Sequence, residues 1–246
     1  MTQFPENFSA AAIYTEAYFQ GGRADGYADY VGSEDVVRRE FRTSVQDLRR
    51  TGCTNGKLLE LGCAYGFFLA EAKTYFDVHG IEVSESAAGF CRQRGFDVEQ
   101  GTLTAEYVAN HAPFDAVVML DVIEHLMEPD KVLKLVRTAL KPGAKVMLTT
   151  GDWESGLSRI MGENWRLMTP PQHAFFFSPR TLSAMLTRLG FDVIECRKPW
   201  KTVPIGLIVY QLGRIFGMRQ PPRLSAIQFG LPVNLFDAFR LVAVRR

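Results

Sequence analysis

The sequence predicts a doubly wound α/β fold built on a mostly parallel sheet of seven strands. Three observations predict it. From residue 57 onward, apolar strand-like runs alternate with helical segments of about 10–15 residues, the rhythm of βαβ units. The runs are near-continuous, Ala116-Val117-Val118-Met119-Leu120 above all, as strands covered on both faces must be. The first run passes through Glu60-Leu61-Gly62-Cys63-Ala64-Tyr65-Gly66 directly into a helix, where sheets of this kind bind ligands.

The elements follow in order. Residues 1–52 are rich in aromatic and charged side chains, and Val36, Val37, Phe41, Val45 and Leu48 give Ser33–Arg50 a helical apolar face. This N-terminal part is read as a helical lid, closed by the turn-forming Gly52-Cys53-Thr54-Asn55-Gly56. A core over 53–198 begins with a strand at Lys57–Leu61 and a helix at Gly66–Phe76. Val78–Val83 is a strand, Glu85–Arg94 a helix, Phe96–Glu99 a short strand, and Phe114–Leu120 the most apolar strand. A helix spans Pro129–Leu140 and stops at Lys141-Pro142-Gly143, which Ala144–Thr150 follows as a strand. Residues 151–180 form a loop on the acceptor side. Pro179–Leu189 is a helix closed by Gly190, and Phe191–Cys196 is a strand. Residues 199–235 break the rhythm and read as a cap insertion. In it Ile205, Ile208, Val209, Leu212, Ile215 and Phe216 share a helix face, suited to internal packing, to a lid, or to a homodimer contact. The last core strand falls within 236–246, at Phe239–Val244.

Composition excludes several classes. The 246 residues suffice for one large domain, and a formal net charge of +1 without clustered Lys and Arg gives no basis for a nucleic-acid partner. Cys53, Cys63, Cys91 and Cys196 lack metal or disulfide spacing and suit a reducing, cytoplasmic setting. No apolar run is long enough for a membrane span, and Met1–Ala12 lacks the features of a signal peptide.

The turn after the first strand is the candidate nucleotide site. Gly62 and Gly66 permit close backbone approach, and Glu82, at the end of the second strand, can accept hydrogen bonds from ribose hydroxyls. A dinucleotide is disfavoured: the GxGxxG pattern fails at Ala64 and Phe67, and Glu60 would repel a pyrophosphate while suiting an ammonium.

Four segments in series resemble the class I S-adenosylmethionine-dependent methyltransferases, in the branch of ubiquinone-biosynthesis and small-molecule or glycan enzymes. They are Glu60–Gly66, Gly80-Ile81-Glu82-Val83-Ser84, Phe114–Leu126 and Leu140-Lys141-Pro142-Gly143. The resemblance implies a Rossmann-like sheet and S-adenosylmethionine as cofactor. It places Glu60, Gly62, Cys63, Ala64 and Gly66 at the methionine end, Glu82 and Val83 at the ribose, and Thr102 and Leu103 at the adenine. Asp121 would stand between cofactor and acceptor, and Tyr18 would belong to the lid. Ala64 departs from the family's usual glycine and brings a methyl against the methionine end.

Methyl transfer to a hydroxyl benefits from a base that is neutral near physiological pH, which favours histidine. His173 lies in a proline-stiffened aromatic loop, and His125 follows the fourth strand in Asp121-Val122-Ile123-Glu124-His125. Both are candidate bases; a backbone-bonding role is the alternative for His173. Asp121, Glu124 and His125 would share a face of a helical turn, where they could bind a divalent cation or simply cap the turn. The expected activity is O-methylation of a small-molecule acceptor such as a sugar or secondary metabolite, without a metal. N- or C-methylation and a non-catalytic cofactor-binding role are the alternatives.

Overall fold

Alternate residues of each central strand fall into two separate cores, and this sorts the whole molecule into layers. The computed structural model describes residues 30–170, 172–204 and 230–246. The strands are β1 (Gly56–Leu61), β2 (Phe76–Glu82), β3 (Asp97–Gln100), β4 (Phe114–Leu120), β5 (Leu140–Gly151), β6 (Phe191–Arg197), β7 (Lys201–Pro204), β8 (Gly230–Val233) and β9 (Ala238–Arg245). Seven of them form one sheet in the order β3-β2-β1-β4-β5-β9-β6. The pairs from β3 to β5 are parallel, while β9 runs antiparallel between β5 and β6.

On one face Leu58, Ala116, Val118 and Met147 pack under α1 (Glu34–Arg50) and α2 (Phe67–Ala72). On the other, Leu59, Leu61, Val117, Met119 and Leu148 meet α4 (Ala105–His111), α5 (Pro129–Ala139) and α6 (Pro179–Arg188). A side-chain period of two along each strand makes this division. α3 (Glu85–Gln93) packs near the β3 edge through Ala88 and Cys91. A polar bond joins layer to layer as well: buried Arg240 of β9 reaches Asp47 and Ser44 of α1 and Thr149 of β5.

Several expected boundaries move. The helix after β1 starts at Phe67 rather than Gly66, because Gly66 sits in the left-handed region at φ 74° as its N-cap. It ends at Ala72 because Phe76 already pairs with Gly56 in the β1–β2 ladder, so Phe76 belongs to β2. Lys141-Pro142-Gly143 does stop α5 at Ala139, but it lies inside β5 as an irregular stretch: Leu140 pairs with Phe114, and pairing resumes at Lys145 with Ala116. α4 has no counterpart in the sequence reading; Thr104 caps it by accepting the Tyr107 N–H at 3.0 Å. The two ends of the expected cap insertion pair as a separate two-stranded sheet, β7 with β8. The apolar face expected from Ile205 to Phe216 lies outside the described residues, as do Tyr18 and the part of the expected N-terminal lid before residue 30. No helix among the described residues is long and apolar enough to cross a membrane.

Candidate active site

The carboxyl ends of β1, β2, β4 and β5 open on one edge of the sheet, and strand order reverses between β1 and β4 there, the usual ligand position. The turn after β1 is shaped for close approach. Gly62 has φ 70°, and a Cβ on it would lie 2.6 Å from Val122 Cγ2. Ala64 also adopts a left-handed φ, 45°, unusual for a residue with a side chain. It is held there by Glu82, whose Oε2 accepts the Ala64 N–H at 2.8 Å while Oε1 accepts the Ser84 N–H at 2.8 Å. Burial pushes the Glu82 carboxyl up, and the N–H donors of Ser84, Ala64 and Val83 pull it back.

Glu60 is 3% exposed, and its Oε2 has no hydrogen-bond partner among the protein atoms. Burial, then the charges of Cys91 and Glu82, push its carboxyl well above the usual range. Such an orphaned acceptor asks for a cationic or hydrogen-bonding ligand. The Cys63 side chain points elsewhere: it is buried in the core with Cys91, so only its backbone faces the turn. Past β3, Thr102 is exposed, whereas Leu103 is buried in the main core beside Ile81.

Beyond β4 the chain turns at Asp121, which has φ 55° and donates its N–H to the Thr149 carbonyl at 2.9 Å. Its carboxylate meets Lys201 Nζ at 2.6 Å. The Asp121 side chain stays 42% accessible. Burial raises this carboxyl, but Lys201, with help from Arg166 and His125, brings it below the usual range.

The short helical turn Ile123–His125 is stitched to the loop after β5. The Glu124 carbonyl accepts the N–H groups of Ala174 at 2.7 Å and Phe175 at 3.1 Å. His125 Nδ1 lies 3.0 Å from the Gln172 carbonyl, and His173 Nδ1 lies 2.7 Å from the Leu167 carbonyl. A carbonyl can only accept, so in both rings Nδ1 carries the proton and Nε2 the basic lone pair. The two rings meet edge to face at 4.6 Å. Burial, then the neighbouring His125, pushes His173 down to about 4; burial also lowers His125. Glu124 is 4% exposed with an unpartnered Oε2, and burial together with Asp121 pushes it up to about 8. Farther along, Arg166 grips Asp237 with two bonds of 3.0 Å, and Trp165 Nε1 adds a third, also at 3.0 Å.

Residues 35–196 match the family model described as a methyltransferase domain. The chain belongs to that family. It is an S-adenosylmethionine-dependent methyltransferase of class I. The methyltransferase is 30% identical over 157 residues to the ubiquinone biosynthesis O-methyltransferase of Pseudomonas aeruginosa (strain UCBPP-PA14), covering 58% of this chain and 68% of that one. The enzyme of that name from Methylococcus capsulatus is 30% identical over 156 residues, covering 58% and 66%. Among solved structures, magnesium protoporphyrin IX methyltransferase from Synechocystis PCC 6803 with bound SAH aligns with a TM-score of 0.60 at 14% identity, over 96% of this chain and 98% of that one. A possible histamine N-methyltransferase from Thermotoga maritima aligns at 0.54 with 23% identity, over 85% and 92%. These two show the shared fold.

In this methyltransferase the expected grouping of Asp121, Glu124 and His125 is replaced by another. Among the described residues, the trio whose ligand atoms lie within 4.8 Å of one another is Glu124, His125 and His173. The turn Ile123–His125 is too short to align Asp121 on the same face, and Asp121 is turned to Lys201 instead. Two residues near Asp121 were not singled out from the sequence. Lys201 sits in the segment read as a cap, and Arg166 arrives only because Asp237, at the head of β9, is brought 71 residues back to it.

Proposed function

We propose that this methyltransferase methylates a hydroxyl of a small-molecule acceptor, a sugar or secondary metabolite, with His173 as the base. The observation that supports the reading is the His173 ring, fixed by the Leu167 carbonyl at Nδ1 so that Nε2 holds the basic lone pair, and close enough to Asp121 to feel its charge.

Bound S-adenosylmethionine supplies a methyl group on a positively charged sulfur. The orphaned oxygen of Glu60 and the turn Gly62, Cys63, Ala64 and Gly66 fit its methionine end, Cys63 through its backbone alone. Glu82 Oε2 accepts the Ala64 N–H and Oε1 the Ser84 N–H, and the carboxylate's remaining acceptor capacity suits a ribose hydroxyl, with Val83 alongside. Thr102 and Leu103 would border the adenine, and Tyr18 would close over the site. Asp121 would separate cofactor from acceptor, and His125 orients His173 through their ring contact. His173 is neutral across the physiological range, so Nε2 is available to take the acceptor's hydroxyl proton.

The test is methyl transfer from label-bearing cofactor into a metabolite extract, with the product's fragmentation showing an O-methyl group. An N- or C-methyl product contradicts the reading.

A second reading is supported by the Glu124, His125 and His173 trio. Two neutral imidazoles and the Glu124 carboxyl, which would give up its proton to a bound cation, are a donor set that suits a divalent cation. Chelation separates the two, because the base reading expects activity to persist.

A further inference from the structure

We propose that Lys201 is a catalytic residue: its ammonium binds the acceptor oxygen and holds it as an oxyanion once the hydroxyl proton has left. This rests on the reading that the acceptor is a hydroxyl compound bound beside Asp121, and it narrows the substrate to hydroxyls acidic enough to ionise there.

Lys201 opens β7, the strand of the two-stranded sheet that packs on α1. That small sheet lies outside the seven-stranded core, yet it delivers an ammonium to the end of β4. The Lys201 side chain is 24% accessible and its Asp121 partner 42%, so a small molecule can reach both. A part-exposed ion pair contributes little to stability, typically about 0–1 kcal/mol, so the fold itself does not explain an ammonium in this cleft.

The charges facing Lys201 come from four segments. Asp121 after β4 bonds it directly, Glu40 of α1 adds attraction, and Arg166 of the loop after β5 repels it. Glu124 also feels the ammonium, from the turn after Asp121. Arg166 is matched by its two bonds to Asp237, so Asp121 is the anion in direct contact with Lys201. A cofactor sulfonium brought toward Asp121 would share that carboxylate's charge. The loaded cleft then holds two cations around one contacting carboxylate, and an acceptor oxyanion restores the balance. The chemistry is a proton transfer that balances: the acceptor O–H proton passes to His173 Nε2, and the electron pair left on oxygen faces the ammonium. A sugar alcohol resists such ionisation; an acidic hydroxyl does not.

The experiment uses the full chain saturated with sinefungin, an unreactive cofactor analogue whose ammonium stands in for the sulfonium charge, and two coloured probes, 4-nitrophenol and 4-nitrocatechol, whose absorbance reports their ionisation. Difference spectra are recorded from about pH 5 to pH 9 for the native enzyme and for Lys201→Met and Lys201→Arg. The native enzyme should ionise a bound probe about one pH unit below the probe's value in water, and Lys201→Met should abolish that shift and weaken anion binding on the order of tenfold. Lys201→Arg should retain most of both. Lys201→Gln, which keeps a polar end, replaces the Met variant if the latter misfolds. S-adenosylhomocysteine affinity should be unchanged in every variant. The proposal is overturned if no probe binds, if a bound probe stays neutral, if removing the ammonium leaves the shift intact, or if cofactor affinity falls instead, which would make Lys201 a support for Asp121. An N-methyl product in the metabolite assay overturns the hydroxyl reading itself. An O-methyl product with ionisation indifferent to Lys201 overturns this inference alone.

Discussion

Replacing Glu82 tests two roles of one carboxylate at once. Glu82 is 4% exposed, and its two oxygens each accept one backbone N–H at 2.8 Å, from Ala64 and from Ser84. The carboxylate retains acceptor capacity for a ligand hydroxyl. Glu82→Gln keeps the shape but puts an NH2 group against one of the two N–H donors. One tether of the turn after β1 is therefore lost, costing about 1–3 kcal/mol of stability. One ribose hydroxyl also loses a charged acceptor, so S-adenosylhomocysteine should bind more weakly by about 1–3 kcal/mol, roughly 5- to 150-fold. Glu82→Ala strips both tethers and should lose more of each. Calorimetric titration gives the affinity, and thermal unfolding of the same sample shows whether the variant is folded. Unchanged affinity in a folded Glu82→Ala protein would place the ribose elsewhere and refute the reasoning.

Other consequences are equally direct. Activity should survive EDTA; loss that magnesium or zinc restores would establish the cation reading of Glu124, His125 and His173. Gly62→Ala sets a side chain in a left-handed turn and a Cβ 2.6 Å from Val122 Cγ2. It should cost at least about 1–2 kcal/mol of stability and weaken cofactor binding, and a variant as stable as the native protein would show that the turn relaxes freely. Glu124 has its carboxyl raised to about 8, so the fold favours its neutral form. Its contribution to stability is fully present below the unfolded carboxyl value of about 4.3 and is lost as pH rises through the folded value. Glu124→Gln is neutral throughout and should gain on the native protein, by on the order of 3 kcal/mol, between about pH 5 and pH 9. Parallel stability curves for the two proteins would contradict this.

Much of the fold was legible because its signals are local. Continuous apolar strands, Gly66 before a helix, and Pro142-Gly143 after one each act within a few residues, and seven strands of the sheet followed from them. α4 was not legible, since seven residues are too few to show a helical period. The antiparallel insertion of β9 between β5 and β6 is a matter of topology, to which the apolar run Phe239–Val244 gives no clue. The cofactor side of the site could be read because Glu60, Gly62 and Glu82 lie on consecutive βα turns. The acceptor side could be read only in part. His125 and His173 were visible as residues in loops, but their meeting depends on backbone bonds from Glu124 to Ala174 and Phe175. Lys201 lies 80 residues from the Asp121 it bonds, and no spacing rule connects them.

The central claim is that His173 takes the acceptor's proton, and turnover of His173→Ala measures it most directly. The assay compares kcat for the native and His173→Ala enzymes on the acceptor found by label transfer, with S-adenosylhomocysteine affinity measured on the same preparations. Loss of a general base typically lowers the rate by about 10²–10⁴-fold, and that drop is expected with cofactor affinity nearly unchanged. His125→Ala should lower it less. A folded His173→Ala enzyme that keeps near-native kcat between about pH 6 and pH 9 would contradict the account and make His125 the leading base.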